Sequence, residues 1–208
     1  MYVPDSFKVD DQTKVEAFLE RYNFATIVSA GAGGIAASHV PVVVRRAATG
    51  LVLAGHVARA NAHWERMDGA SESLAIFHGP HSYVSPAWYA SAPAVPTWNY
   101  ATVHAYGTPR AVHDMTFKQE LLRELVRRHE HRDSGWRVDD LPSHFSQRLI
   151  SAIVAFEMPV LRLETKFKLG QNRSAEDRAG TIAGLEREPS PEAQALAAFM
   201  RSHKVADG

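Results

Sequence analysis

The spacing of apolar residues near the N-terminus predicts a first helix over residues 11–22. Its apolar face is formed, at positions i, i+3, i+4 and i+7, by Val15, Phe18, Leu19 and Tyr22. Asp10 or Asp11 can accept hydrogen bonds from the N–H groups that open a helix. The pattern therefore predicts an amphipathic helix with one apolar face.

Three short runs rich in β-branched residues follow, and they predict an antiparallel meander. The runs are FATIVSA, IAASHVPVVVRR and LVLAGHV, and the segments GAGG and AATG between them have the composition of hairpin turns. Pro41 lies inside the second run and lacks the N–H group that a strand donates to its neighbour. We therefore expect an edge position or a bulge at Pro41.

The middle of the chain mixes helical and strand patterns. Residues Ala58–Met67 are a short helix candidate after the third strand, and ESLAIFHG is a further apolar strand. Gly79 and Pro80 are expected to end that strand in a turn. Another strand is predicted over Tyr100–Val112.

The second half adds helices and one long alternating strand. A helix is predicted over residues 116–129, because Phe117, Leu121, Leu122 and Leu125 share one face. Thr116 and Gln119 fit a capping box for it, and HFSQRLISA is a shorter helix. The run VLRLETKFKLG alternates apolar and polar residues, which predicts a strand with one solvated or ligand-facing side. Ser174 with Asp177 opens a final helical region, which EPSP interrupts.

Five to seven antiparallel strands with flanking helices predict a small α+β barrel, because closing a sheet removes its exposed edges. A chain of 208 residues can bury one sizeable core. We therefore expect one domain, or one domain with a helical appendage.

The composition limits the classes of partner. Lys and Arg total 23 and Asp and Glu total 23, so the chain lacks the net positive charge typical of proteins that bind nucleic-acid phosphates, and any DNA contact must be local. The 11 His residues would make the chain more basic below about pH 6.5. The absence of Cys excludes disulfides and thiolate chemistry.

Neither a secretory signal nor an apolar run long enough to span a bilayer is present, so we expect a soluble cytoplasmic protein with no membrane partner.

The segment GHVARANAHWERM is a candidate anion site. The strand through Gly55 is expected to lead into a helix, and a helix N-terminus presents unpaired N–H groups and a partial positive charge. Arg59, Asn61 and His63 add donors for a phosphate. The alternative is a polar first turn in which Arg59 is solvated and Trp64 packs on the barrel.

The segment FHGPHSYVSPAWY places His78 and His81 near one another at the barrel rim. The H-x-x-H spacing is a weak metal signal, because no third ligand stands at a fixed spacing. We therefore expect no metal, and we expect both His side chains to hydrogen-bond the backbone.

The stretch VPTWNY alternates aromatic and hydrogen-bonding side chains. In a strand, Trp98 and Tyr100 face one side and Asn99 faces the other. One hypothesis is that these residues line a site for a planar heteroaromatic ligand. The alternative is that Trp98 caps the core, where large aromatic side chains commonly lie.

The segment KFKLGQNRSAEDRAG is rich in hydrogen-bond donors. Gln171, Asn172 and Arg173 directly follow a strand, and Lys168 lies on the polar face of that strand. The alternative is a helix cap, in which Ser174 accounts for the local polarity.

Together these segments resemble the PaiB family of FMN-binding negative transcriptional regulators. The resemblance is carried by MYVPDSF, GHVARANAHW, FHGPHSYVSPAWY, VPTWNYATVHAYG and KLGQNRSAEDRAG, and it spans nearly the whole chain. Gly170 departs from the family pattern, in which Ser is usual. The resemblance implies an α+β fold, an antiparallel split β-barrel of the flavin-reductase type with flanking helices and a helical C-terminal tail. It also implies a homodimer with FMN at the subunit interface.

The resemblance further implies a domain division and a set of cofactor contacts. Residues 1–170 would form the FMN-binding barrel domain, including inserted helices within 114–150, and residues 171–208 a helical extension packed on the same domain. The segment His56–Trp64 would face the FMN phosphate, and the other contacts would line the remainder of the cofactor. The implied FMN contacts are His56, Arg59, Asn61, His63, Trp64, Trp98, Asn99, Tyr100, Lys168, Gln171, Asn172 and Arg173.

Three functions follow as hypotheses. The family implies negative transcriptional regulation. The alternatives are an FMN-dependent oxidoreductase that acts on an unidentified small substrate, with His78, His81 or Tyr83 as proton donor, and a haem-binding or haem-degrading relative.

A candidate DNA surface is the basic cluster Arg123, Arg127, Arg128, His129, His131, Arg132 and Arg137. Interspersed Glu residues favour a solvated helix face for that cluster instead. The sequence does not identify which residue, if any, is catalytic.

Overall fold

The computed structural model describes residues 1–31 and 33–203, without the side chain of Arg132. Ala32 of the predicted GAGG turn and the last five residues of the predicted extension lie outside the described residues. The strands are β1 (Phe24–Gly31), β2 (Gly34–Ala47), β3 (Gly50–Ala58), β4 (Ser73–Val84), β5 (Thr97–Gly107), β6 (Arg110–Val112) and β7 (Ile153–Lys168). The α-helices are α1 (Gln12–Arg21), α2 (Met115–His129), α3 (Ser143–Ser151), α4 (Ala175–Arg187) and α5 (Pro191–Ser202).

The strands form the antiparallel meander that the sequence predicts. β1 pairs with β2, β2 with β3 and β1 with β4, each in antiparallel register. The order across the sheet is β3-β2-β1-β4-β5-β7-β6, and β3 also pairs with β7, from Val52↔Pro159 to Ala58↔Ile153. This extra ladder gives β3 a second neighbour, so that residues 52–55 of β3 are paired on both sides. The α+β fold with an antiparallel split β-barrel and flanking helices is therefore confirmed.

Pro41 marks the point at which β2 changes partners. The ladder between β1 and β2 ends at Phe24↔Pro41, and the ladder between β2 and β3 begins at Val42↔Gly55. Pro41 therefore stands at the end of one ladder and outside the other, where its missing N–H group costs no hydrogen bond. The irregularity predicted at Pro41 is a change of partner rather than a bulge.

The chain forms two compact units, and each is described by itself. The first unit comprises Glu16–Phe77 and His104–Leu163, and in it α2 packs on the sheet. The buried cluster beneath α2 is formed by Val43, Ala54, Leu121, Leu125 and Ala155. Leu121 and Leu125 are residues that the helical periodicity predicts to face the core.

The second unit comprises Met1–Val15, His78–Val103 and Glu164–Gly208, the last of these described to residue 203. In this unit α4 packs on α5. Gly184 of α4 lies directly against Trp88, because a Cβ atom on Gly184 would stand only 2.2 Å from Trp88 Cδ2. The division into 1–170 and 171–208 stays a prediction.

The α-helix predicted over Ala58–Met67 is wrong. β3 continues to Ala58, and a 3₁₀ turn of five residues forms over Ala62–Arg66. The Asn61 side chain caps this turn by accepting the N–H of His63 at 3.1 Å. A turn of this length aligns few peptide dipoles, so the phosphate site expected here loses its helix N-terminus.

The strand boundaries in the middle of the chain also differ from the prediction. β4 runs through Gly79 and Pro80 to Val84, so no turn ends it there. A proline fits within a strand where the ladder does not require its N–H group. The strand predicted over Tyr100–Val112 begins three residues earlier, at Thr97, and is divided into β5 and β6.

The predicted caps are partly confirmed. Asp11 accepts the N–H of Lys14 at the start of α1, and Ser174 Oγ accepts the N–H of Asp177 at the start of α4. The capping box predicted for α2 is wrong, because Asp114 is the N-cap and accepts the N–H of Phe117 at 2.7 Å.

Within residues 1–31 and 33–203, the helices are too short or too polar to cross a membrane.

Candidate functional site

A pocket of about 390 Å³ opens in the first unit where β2 and β3 diverge. β3 pairs with β2 only as far as Gly55, so the residues of β3 beyond it and those of β2 before Val42 separate. The pocket is lined by Ala37, Ser38, His39, Val40, Pro41, His56, Val57, Ala58 and Asn61. Two of the predicted FMN contacts, His56 and Asn61, therefore line one cavity.

A chain of hydrogen bonds runs from this pocket into the barrel interior. Asn61 Nδ2 donates to Ser38 Oγ at 2.9 Å, and Ser38 Oγ lies 2.8 Å from His63 Nδ1. His63 Nε2 lies 2.9 Å from Ser29 Oγ, which lies 2.7 Å from Ser73 Oγ. Pocket and interior are thus joined by one continuous polar network.

His63 occupies the centre of that network. Its side chain is buried, with the residue 3% exposed, and both ring nitrogens contact Ser hydroxyls. Burial, and the positive charge of Arg66, lower the pKa of the His63 imidazole. A neutral imidazole donates through one nitrogen and accepts through the other. His63 therefore reaches the pocket through Ser38 rather than by direct exposure.

His56 differs from His63, because one of its ring nitrogens lacks a hydrogen-bond partner. Its Nδ1 atom is buried and has no hydrogen-bond partner within the described chain. Burial lowers the pKa of the His56 imidazole. Because a buried polar atom without a partner costs free energy, His56 Nδ1 is the atom in this pocket that a bound ligand would most readily satisfy.

Arg59 is held in place by backbone carbonyl groups. Its Nε donates to Ser151 O at 2.9 Å and its Nη2 to Ile153 O at 3.5 Å. The carbonyl oxygen of Arg59 accepts the indole N–H of Trp64 at 3.0 Å, and the Trp64 ring packs edge-on against His113. The guanidinium is therefore fixed, with further N–H groups available to an anion.

In the second unit, Lys168 joins the end of β7 to the start of β5. Its Nζ donates to Thr97 Oγ1 and, at 2.9 Å, to Trp98 O. Burial, followed by the charges of Lys166 and Arg173, lowers the pKa of Lys168. Lys168 thus positions the backbone of the TWNY segment.

The TWNY segment alternates as predicted. Trp98 is 54% exposed, whereas Asn99 is buried and its amide lies 3.9 Å from Met200 Sδ. The rings of His81 and Tyr83 lie 6.4 and 6.3 Å from the Trp98 ring. Trp98 therefore presents an exposed ring and does not cap the core.

The three polar residues after β7 differ in their contacts. The Gln171 side chain accepts from Leu169 N and donates to Phe167 O, which closes the turn locally. Asn172 is exposed. The Arg173 guanidinium lies 4.5 Å from the centroid of the Tyr89 ring. Gln171 therefore shapes the turn, and Arg173 has an aromatic contact that does not engage its N–H donors in hydrogen bonds.

The histidines at β4 show no metal geometry. His81 Nδ1 lies 3.3 Å from Gly79 O, which is the backbone contact that the sequence suggests. Within the described part of the chain, no three His, Cys, Asp or Glu side chains are grouped so that they could hold a metal ion.

The comparison with known proteins assigns a family. The sequence profile of the family described as "Putative FMN-binding domain" matches residues 1–162. "Protease synthase and sporulation protein PAI 2" of Bacillus subtilis (strain 168) is 32% identical over 200 residues, which cover 96% of each chain. The chain belongs to the PaiB family of FMN-binding proteins.

Two solved structures share the fold of this PaiB-family chain. The flavocytochrome Anf3 from Azotobacter vinelandii has a TM-score of 0.63 at 17% identity, with 83% of this chain and 75% of that chain covered. The FAD and heme binding protein from Mycobacterium smegmatis has a TM-score of 0.59 at 13% identity, with coverages of 83% and 78%. At these identities the similarity shows the fold alone.

The residues of the PaiB-family chain fit its cofactor, FMN. A phosphate monoester needs hydrogen-bond donors and positive charge. The pocket offers the unpartnered Nδ1 of His56 and the Ser38 hydroxyl, and Arg59 follows the pocket residue Ala58 directly. FMN, when bound, supplies hydride chemistry, and the protein supplies orientation and electrostatics.

Sequence reasoning missed Ser38 and its partner Ser29. A signal for Ser38 is present, because Ser38 alternates with Val40 and Val42 in a strand and so falls on a face that is otherwise apolar. A polar residue on such a face requires a hydrogen-bond partner. Here that partner is His63, 25 residues further along the chain.

Proposed function

We propose that this chain is a cytoplasmic PaiB-type regulator that acts as a homodimer, binds FMN and lowers the transcription of its target genes. The FMN-binding family supports the cofactor, and the relative named as a sporulation protein supports the regulatory role. The observation that carries the FMN site is the polar pocket between β2 and β3, in which His56 Nδ1 is buried without a partner.

We assign the phosphate end of FMN to the first unit. Arg59 would supply the charge, and His56 and Asn61 would donate hydrogen bonds. His63 would act through the Ser38 hydroxyl, and Trp64 would hold the Arg59 backbone through its indole N–H. Each of these roles uses a contact or an unpartnered atom that the first unit shows.

The second unit supplies candidates for contact with the flavin ring. Trp98 offers an exposed aromatic face, and Lys168 fixes its backbone. Tyr100 lies on the same side of β5 as Trp98, Asn99 contacts the Met200 sulfur, and Gln171 closes the turn after β7. The remaining candidates, Asn172 and Arg173, are proposed to contact FMN directly.

Arg59→Ala tests the phosphate assignment. We expect this variant to weaken FMN binding by about tenfold to a hundredfold, the effect of a lost charge-assisted hydrogen bond. The matched control is Arg187→Ala, at the end of α4. Titration followed by the quenching of flavin fluorescence gives both affinities, and equal affinity for Arg59→Ala and the control would refute the role of Arg59.

The regulatory role requires a separate test. Within the basic cluster, Arg123 donates to Asp139 at 2.8 Å, so part of its charge is neutralised, whereas Arg127 and Arg128 are exposed. An electrophoretic shift with genomic fragments should be weakened by the double change Arg127→Ala and Arg128→Ala if the cluster binds DNA. Sedimentation of the same preparation tests the homodimer, and a monomer at all concentrations would contradict it.

The alternative functions predict different results. An FMN-dependent oxidoreductase would reduce its flavin with a nicotinamide donor and turn over an acceptor. A haem-binding relative would develop a Soret band on addition of haem. A regulator of the proposed kind would bind FMN without sustained turnover.

A further inference from the structure

The outward side of α2 forms one wall of a second cavity in the first unit. Arg123, Val126, Arg127 and Glu130 recur at i, i+3, i+4 and i+7, so they share one face of the helix. The two leucines of α2 that pack on the sheet lie on the opposite face. The outward face is therefore open to another segment of the chain or to a ligand.

The loop after α2 forms the other wall of this cavity. Two 3₁₀ turns, over Arg132–Ser134 and Val138–Asp140, shape the loop. Between the two turns stands Trp136, which is 47% exposed. The loop is tied to the helix by the hydrogen bond from Arg123 Nε to Asp139 Oδ1 at 2.8 Å. Helix and loop are therefore held together at one side of the cavity.

The cavity has the size and the apolar surface of a small-molecule site. Its volume is about 530 Å³, and small-molecule sites typically measure roughly 300–1,000 Å³. Val126 and Val138 line it as half-buried apolar residues, and Trp136 adds an aromatic ring on which a planar group can stack. Among the described residues, none lines both this cavity and the pocket between β2 and β3. It is therefore a separate candidate site.

The charged side chains of the lining favour an anion. Asp139 is paired with Arg123, whereas no carboxylate of the described residues pairs with Arg127 or Arg137. Glu130 is the remaining acidic residue of the described lining. Two guanidinium groups against one carboxylate leave an excess of positive charge. Guanidinium groups bind phosphate through paired N–H donors.

We propose that this cavity binds a free nucleoside monophosphate, with the base stacked on Trp136 and the phosphate held by Arg127 and Arg137. The N–H groups of a base can also donate to the Glu130 carboxylate, which a simple aromatic acid would leave without a donor. A nucleic-acid strand fits less well, because surfaces that bind single strands carry a continuous positive groove. Glu130 and Asp139 interrupt the positive charge of this lining. The site goes beyond the proposed function and does not depend on FMN.

The indole of Trp136 gives a local readout of the cavity. The chain has four Trp residues, so a nitrogen–proton correlation spectrum of the isotope-labelled protein contains one indole signal for each. Trp136→Leu identifies the signal of the cavity by its loss. We expect at least one of AMP, GMP, CMP and UMP to shift this signal saturably. A nucleotide that binds only between β2 and β3 should leave it unshifted.

The contacts to the base and to the phosphate are tested separately. We expect the matching nucleoside, which lacks the phosphate, and ribose 5-phosphate, which lacks the base, each to bind at least about tenfold more weakly than the nucleotide. The double change Arg127→Gln and Arg137→Gln should weaken nucleotide binding by a similar factor. The matched control is the double change Arg21→Gln and Arg187→Gln, at the exposed ends of α1 and α4.

Each contrary result overturns a stated part of the proposal. An unshifted Trp136 signal with all four nucleotides would overturn the site as a whole. Equal affinity for nucleotide and nucleoside, or for the double variant and its control, would overturn the phosphate contact. Equal affinity for ribose 5-phosphate would overturn the stacked base, and tighter binding of single-stranded oligothymidylate would overturn the free nucleotide as occupant. None of these results depends on whether the chain binds FMN, so failure of the proposed function is distinguishable from failure of this inference.

Discussion

At the scale of single residues, the imidazole of His63 connects the pocket with the barrel interior. Its Nδ1 contacts Ser38 and its Nε2 contacts Ser29, so the network has two self-consistent directions of proton donation. In one direction Ser38 donates to His63. In the other, His63 donates to Ser38, and the Ser38 hydroxyl is then available to donate to a ligand oxygen in the pocket.

Ser38→Ala removes the shared atom of this network. The change leaves Asn61 Nδ2 and His63 Nδ1 without their partner, and we expect it to lower the free energy of unfolding by about 1–3 kcal/mol. Urea denaturation without FMN measures the loss. Ser143→Ala, at an exposed position of α3, is the control. Identical unfolding curves for the two variants would show that the network contributes nothing to stability.

The residues of the site were predictable to different degrees. Motif reasoning selected Asn61 and His63, because donors cluster in that segment. It could not show that His63 is buried between two serines, since Ser29 and Ser38 come from other strands.

At the scale of elements, periodicity predicted the helices whose apolar faces pack on a core. α1, α2 and α3 lie where the spacing of apolar residues places them. The helix predicted over 58–67 failed, because β3 continues to Ala58 through its ladder with β7. Pairing between distant strands is not visible in a local pattern, and here it overrode local propensity.

The N-cap of α2 gives a test at this scale. Asp114→Ala should lower the free energy of unfolding by about 1 kcal/mol, because the Asp114 carboxylate accepts the N–H of Phe117. Thr116→Ala, in the capping box that the sequence suggested, should have a much smaller effect. Thermal or chemical denaturation of the two variants decides between the caps. A larger loss in Thr116→Ala would contradict the cap that the structure shows.

At the scale of the whole molecule, the sequence predicted the barrel from the number and pattern of its strands. The ladder between β3 and β7 gives the closure expected of a barrel, and the family and the structural neighbours agree with it. The change of partner at Pro41 was not predictable in detail, because a proline is compatible with an edge, a bulge or the end of a ladder. That change opens the pocket between β2 and β3.

The most direct test of this account is the binding of FMN by the purified wild-type chain. The visible absorbance spectrum shows whether flavin is bound as purified, and titration of the flavin-free protein with FMN and with riboflavin gives the contribution of the phosphate. We expect saturable FMN binding that is tighter than riboflavin binding by at least about tenfold, because charge-assisted contacts to the phosphate stabilise the complex. Equal affinity for FMN and riboflavin would contradict the phosphate site, and the absence of binding at any FMN concentration would contradict the proposed function itself.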